Sequence, residues 1–211
     1  MSAARRNKSA LGRSHRNIPQ RKLFIIVGEG EVTEREYVKR FISDAYATVY
    51  KSPRGSHGGD AKRLVRQMRE ERKKHSPSTK AAPTEYWIIA DAEEENKNHN
   101  LEPLFDWVQE DENNHLAITY PQFENWILLH YRTSMSSTNP VHDLAKYIPG
   151  YANHNKSIGN RITDEQIHTA LRNARIAGVV VTDRPTNMSQ LSQGRAYFTS
   201  MPHLVQQLLN V

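Results

Sequence analysis

The chain has no cysteine, which excludes disulfide bonds, a thiol nucleophile and thiolate zinc sites together. No apolar run approaches the roughly 18 residues that a membrane-spanning helix needs. The residues ahead of Leu23 are basic without an apolar stretch behind them, so no secretory leader is expected. The expected location is the cytoplasm, away from membranes. The ten histidines show neither His-x-His nor His-x-x-x-His spacing. They make no metal site by pattern, and oxygen ligands become the main candidates for holding an ion. No internal repeat is present, and low complexity is confined to the N-terminal arm.

Acidic residues are missing from positions 1–22, which hold Arg5, Arg6, Lys8, Arg13, Arg16, Arg21 and Lys22. The remaining 22 basic and 23 acidic residues come to −1, so the net charge of +6 belongs to this arm. A basic, Ser- and Asn-containing arm ahead of a near-neutral body suits electrostatic hold on a phosphate backbone. Arg5, Arg6, Lys8, Arg13 and Arg16 are its candidate nucleic-acid contacts. A disordered solubilising leader is the plainer alternative. With 211 residues, 37% of them hydrophobic and 25% charged, the body is long enough for one domain with a real core.

The most informative stretch is LFIIVGEGEVTERE, residues 23–36. Five apolar residues read as a buried strand, followed by Gly28-Glu29-Gly30-Glu31. Thr33 then opens a helix over 34–46, with Glu36 placed to complete a capping box. A carboxylate at the carboxyl end of a buried parallel strand stands where open α/β sheets keep their ligand sites. Glu29 is therefore a candidate for chemistry, against the alternative of an ordinary βα turn with solvated acids. Further along, 47–50 reads as a short strand, 52–60 as a glycine-rich loop and 60–75 as a helix. Residues 85–90 form a second buried strand ending at Asp91-Ala92-Glu93, 103–112 a helix and 115–119 a third strand. Pro121 fits the first turn of an apolar helix carrying Phe123, Glu124 and Trp126. After residue 133 strand signals nearly stop: 141–148, 164–177 and 201–210 look helical, and 183–195 looks like a polar loop. Strands alternating with helices argue for an α/β doubly wound, mostly parallel sheet with right-handed crossovers. The expected division is a basic arm over 1–22, an α/β core over 23–132 and a helical extension over 133–211.

Two strands thus end in acids, Glu29 with Glu31 and Asp91 with Glu93. Neighbouring parallel strands lie roughly 4.8 Å apart, so such carboxylates can share one cation. Oxygen ligands select Mg²⁺ or Mn²⁺ over zinc, and Mg²⁺ held by few carboxylates recruits phosphate. That chemistry points to phosphodiester substrates. Glu124, on an otherwise apolar helix, either joins this site or is paired, because a lone buried carboxylate is costly. Helix 60–75 carries six basic residues within 63–74, with Arg63 and Arg66 as candidate polymer contacts.

The strand–Glu-Gly–helix element and the strand ending in Asp-x-Glu resemble the Toprim fold of topoisomerases, primases and OLD-type nucleases. More closely, four passages resemble the RloB family of bacterial abortive-infection proteins: RKLFIIVGEGEVTEREY (21–37), GSHGGDAKRLV (55–65), IIADAEEE (88–95) and TYPQFENWILLHY (119–131). A weaker echo lies in GYANHNKS (150–157), where the resemblance makes Lys156 a candidate phosphate contact. The resemblance implies that Glu29 is the acid–base glutamate, with Asp91 and Glu93 as the metal-holding pair. Glu31, Thr33 and Glu34 match the family's GExTE pattern, and Phe123, Glu124 and Trp126 its FExW segment. It implies Mg²⁺- or Mn²⁺-dependent nuclease action on RNA, tRNA included, or DNA in antiviral defence. Glu29 and Glu31 would be catalytic; Glu29, Asp91, Glu93 and Glu124 would hold the ion; Thr33 and Glu34 would support them. An AAA-type ATPase is the expected partner, with room for a homo-oligomer. The alternative is a non-catalytic nucleic-acid-binding or regulatory subunit of that ATPase. Glu93 stands where Toprim proteins usually have Asp, and Tyr120 where the family often has Asn.

Overall fold

The computed structural model describes residues 22–41, 46–51, 61–75, 84–92, 100–152 and 156–209. The arm, the glycine-rich loop 52–60 and Glu93 lie outside them. In chain order the elements are β1 (Lys22–Gly28), α1 (Thr33–Lys39), β2 (Tyr46–Lys51), α2 (Ala61–Lys74), β3 (Thr84–Asp91), α3 (Glu102–Gln109) and β4 (Asn114–Tyr120). They continue with α4 (Phe123–Leu128), α5 (Pro140–Leu144), α6 (Asp164–Ile176), α7 (Met188–Ser192), β5 (Phe198–Thr199) and α8 (Met201–Leu209).

The five strands form one sheet in the order β2-β1-β3-β4-β5. The first four are parallel, and β5 pairs antiparallel with β4 through Thr119–Thr199 and Tyr120–Phe198. Both faces are covered, which is why the strands read as continuous apolar runs rather than alternating ones. Ile25, Val27, Ile88, Ala90, Leu116 and Ile118 point to α2 and α3, meeting Leu64, Met68, Leu104 and Trp107. Phe24, Ile26, Trp87, Ile89 and Ala117 point the other way, to Tyr37 of α1, Trp126 of α4, Ile167 of α6 and Leu204 of α8. This is an α/β sheet with helices on both sides, and chain order reverses between β1 and β3. Open sheets of this kind present a crevice at that switch point, outside the carboxyl ends of the strands.

Several local expectations give way to tertiary structure. The helix expected over 34–46 ends at Lys39, and by Tyr46 the chain is already β2, paired with β1 from Lys22 onward. Pro121 lies before α4 rather than in its first turn: Tyr120-Pro121 is a cis peptide and Gln122 is the N-cap. The region read as a polar loop contains α7, where Asn187 accepts a hydrogen bond from the Gln190 N–H. Residues beyond 133 also contribute strand. Besides β5, Val180 makes an isolated parallel bridge to Thr199, and the Thr199 N–H donates to the Val179 carbonyl. A two-residue strand is too short to announce itself by periodicity.

Two polar groups tie the helical layer together beneath α4. Buried His130 donates from Nδ1 to the Ile127 carbonyl and accepts at Nε2 from the Tyr37 hydroxyl, joining α4 to α1. Burial holds this imidazole down to about 3, so it stays neutral. Asn173 of α6, itself buried, donates through Nδ2 to the carbonyls of Leu129 (2.8 Å) and Arg132 (3.1 Å), which follow the end of α4. Replacing Asn173 by Ala leaves those acceptors without that donor. A loss of about 1–3 kcal/mol in unfolding free energy is expected, measurable as a lower urea midpoint with an unchanged slope.

Candidate metal centre at the β1/β3 switch point

Parallel pairing of Val27 with Ile88 and Gly28 with Ile89 brings the ends of β1 and β3 level. Glu29 follows directly, and its Oε1 accepts from the Asp91 N–H at 3.4 Å. Asp91 Oδ1 in turn accepts from the Phe123 N–H at 2.8 Å, joining the end of β3 to the first turn of α4. The next residue on α4 is Glu124, 4% exposed. From the other side comes Glu34 of α1, 6% exposed, whose Oε1 accepts from the Gly30 N–H at 3.0 Å. Gly30 is required for this return: a Cβ there would fall on the Glu34 carboxylate. Gly28 has a similar reason, because a Cβ would run into the ring of Tyr50, whose hydroxyl donates to the Gly30 carbonyl at 2.5 Å.

Four carboxylates from three elements and the β1–α1 turn are thus crowded together. Desolvation, reinforced by Glu29, Glu34 and Glu124, pushes the Asp91 carboxyl well above its usual range, against the Phe123 hydrogen bond. Glu34 rises to about 7, chiefly through desolvation, with Glu124 adding to it and the backbone donors and Lys156 opposing. Lys156 supplies one answering charge, its Nζ lying 2.8 Å from Glu124 Oε1. Desolvation works against the lysine charge, yet Glu124, Asp91 and Glu34 hold its ammonium above the usual value. Tyr151 completes the wall, donating from its hydroxyl to Glu124 Oε1 at 3.3 Å and touching Thr33 Oγ1 at 3.1 Å.

A family model described as RloB-like protein matches residues 24–208. The chain belongs to the RloB-like family. Among curated proteins and among solved structures, none matches it. In this RloB-like chain, Glu29, Glu34, Asp91 and Glu124 converge, with Thr33 and Lys156 at their edge. Glu31 stays exposed beside them and is felt electrostatically by Tyr50. Arg63 is half-buried and Arg66 exposed on α2, which covers the opposite face of the sheet from α1. Arg5, Arg6, Lys8, Arg13, Arg16 and Glu93 fall outside the described residues. Among the described residues no three His, Asp or Glu side chains sit close enough to hold a metal ion as they stand. No helix among them is long and apolar enough to cross a membrane.

The capping box expected at Thr33 and Glu36 does not form. Val32 is the N-cap and makes no side-chain cap bond. Thr33 Oγ1 donates instead to the Lys156 carbonyl at 2.7 Å, and Glu36 accepts from Ser157 Oγ, Ile158 N–H and Gly159 N–H. Distant partners outbid the local ones, and sequence spacing carries no signal for them. Tyr50 also escaped the sequence reading. Only the pairing of β2 beside β1, with Tyr50 opposite Ile26, puts it next to the Gly28–Gly30 turn.

The oxygen-only donor set suits a hard divalent ion. The crowding of four acids gives it a reason to bind, with Lys156 paired to one of them, Glu124. Without an ion the same crowding makes stability pH-dependent. Glu34 is raised from 4.5 to about 7, so between those values the folded protein holds more protons than the unfolded chain. Its contribution is full below 4.5 and is lost as pH rises through about 7. Chelator-treated wild type should therefore lose more melting temperature between pH 6.5 and pH 8 than Glu34→Gln does, a comparison that cancels His130, whose unfolded value of 6.5 lies at the edge of that window and acts in the opposite sense. Glu34→Gln should flatten that slope in calorimetric scans.

Proposed function

We propose that this RloB-like protein is a Mg²⁺- or Mn²⁺-dependent nuclease with a Toprim-like catalytic core, acting on RNA, tRNA included, or DNA in antiviral defence. The observation that carries this reading is the approach of Glu29 and Asp91 at the β1/β3 switch point, inside a cluster of four carboxylates. Asp91 would hold the ion with Glu93 and, on rearrangement, Glu124. Such an ion would polarise a phosphoryl oxygen and stabilise charge developing on it. Glu29, on the Gly28–Gly30 turn, is the group to move a proton to or from the attacking or leaving oxygen. Glu34, Thr33 and Tyr50 fix that turn and the start of α1, and Glu31 lies at the mouth. Arg63 and Arg66 of α2, Lys156 and the basic arm would grip the polymer backbone.

One observation favours a second reading. Lys156 already satisfies part of the charge on Glu124, as expected of a structural cluster in a nucleic-acid-binding or regulatory partner of an AAA-type ATPase. Cleavage assays on tRNA and DNA with Mg²⁺ or Mn²⁺ separate the two. Under the nuclease reading, Glu29→Gln and Asp91→Asn lose at least about a hundredfold in rate, and Mn²⁺ raises the melting temperature of wild type but not of Asp91→Asn. Equal cleavage by all three proteins would remove the hydrolytic assignment. Deleting residues 1–22 should weaken polymer binding and flatten its salt dependence.

A further inference from the structure

We propose that Lys156 is a built-in cation of the carboxylate cluster, held over Glu124 by an anchored turn of backbone, and that it competes with a divalent ion for the same oxygens. The inference rests on the metal-site reading above and deepens it.

The anchoring is unusually complete for a surface segment. Lys156 has φ 59, in the left-handed region that non-glycine residues seldom adopt. Its N–H donates to the Tyr151 carbonyl and its own carbonyl accepts from Thr33 Oγ1. Immediately after it, Ser157 Oγ (2.9 Å), the Ile158 N–H (2.8 Å) and the Gly159 N–H (2.8 Å) all converge on Glu36. Thr33 and Glu36 lie one turn apart on α1, so the helix that carries Glu34 into the cluster also carries the latch for the lysine. Backbone held outside its preferred region needs surroundings that over-determine it, and such places concentrate at functional sites.

The charge pattern states what the latch is for. Glu124 is almost wholly buried while the Lys156 side chain is half exposed. Removing the lysine would leave a buried carboxylate without its counter-charge, the costly half of a broken ion pair. The acids acting on Lys156 are Glu124, Asp91 and Glu34, of which Glu124 and Asp91 are ligands of the proposed ion. A lysine ammonium is a hydrated point charge on a flexible stem, able to swing away without unfolding its turn. Two cations drawn to one set of oxygens repel each other, and linkage requires that each weaken the other by the same factor. Glu36 is then a positioning residue, acting through Lys156.

The test uses the full chain stripped with chelator and titrated calorimetrically with Mn²⁺, beside melting curves with and without Mn²⁺. Lys156→Met should bind Mn²⁺ on the order of tenfold more tightly than wild type, melt lower without the ion and gain more from it. Lys156→Gly should behave likewise while easing the left-handed backbone, which guards against a variant that merely folds poorly. Glu36→Gln should fall between wild type and Lys156→Met, and Lys156→Arg should stay near wild type. Mn²⁺ affinity unchanged or weaker in Lys156→Met, or a melting loss equal with and without the ion, overturns the inference and leaves the metal site standing. Failure of every variant and of wild type to take up Mn²⁺ overturns both.

Discussion

Carboxylates crowded into a poorly solvated crevice are the constraint around which this protein is arranged. Parallel pairing of β1 and β3 puts Glu29 against Asp91, α1 returns Glu34 through the space left by Gly30, and α4 adds Glu124. Carboxylates this close cannot all be ionised without an answering charge. Protons and a lysine are two such answers, and a divalent ion is the proposed third. Asp91 and Glu34 hold their protons to unusually high pH, Lys156 sits on Glu124, and the donor set is of the kind that selects Mg²⁺ or Mn²⁺.

The rest of the fold keeps that crevice in register. The apolar residues of β1 and β3 pack on both sides, so neither strand can slide without exposing one set. The C-terminal third does more than cover a face. It returns β5 and Val180 to the edge of the sheet, supports the end of α4 through Asn173, and delivers the turn that bears Lys156. The family match over residues 24–208 accordingly takes in both the acidic strand ends and the segment that answers their charge.

Under the nuclease reading, catalysis and restraint share side chains. Glu124 is then a ligand in waiting, Lys156 its placeholder, and Thr33 and Glu36 the means by which α1 holds the placeholder near Glu34. The tyrosines at positions 50 and 151 shape the same turn and the same carboxylate from opposite sides. Under that reading, activity and stability pull against each other here, a common cost of holding like charges together for function.

Composition and pattern by themselves determined the α/β class, the two buried strands and the acids at their ends, because apolar runs bounded by glycine and acid are local signals. They also marked Glu124 as unusual and assigned the positive charge to the arm, while Lys156 was marked by the family resemblance of its segment. Only the tertiary structure decided that Glu34 turns back onto Gly30, that Thr33 and Glu36 forgo a helix cap to hold residues 156–159, that Tyr50 fills the space beside Gly28, and that a late two-residue strand closes the sheet. These choices join positions as many as 123 residues apart in the chain. A hydrogen bond to a distant partner leaves no period or spacing in the sequence; it exists only once the sheet has brought the two ends together.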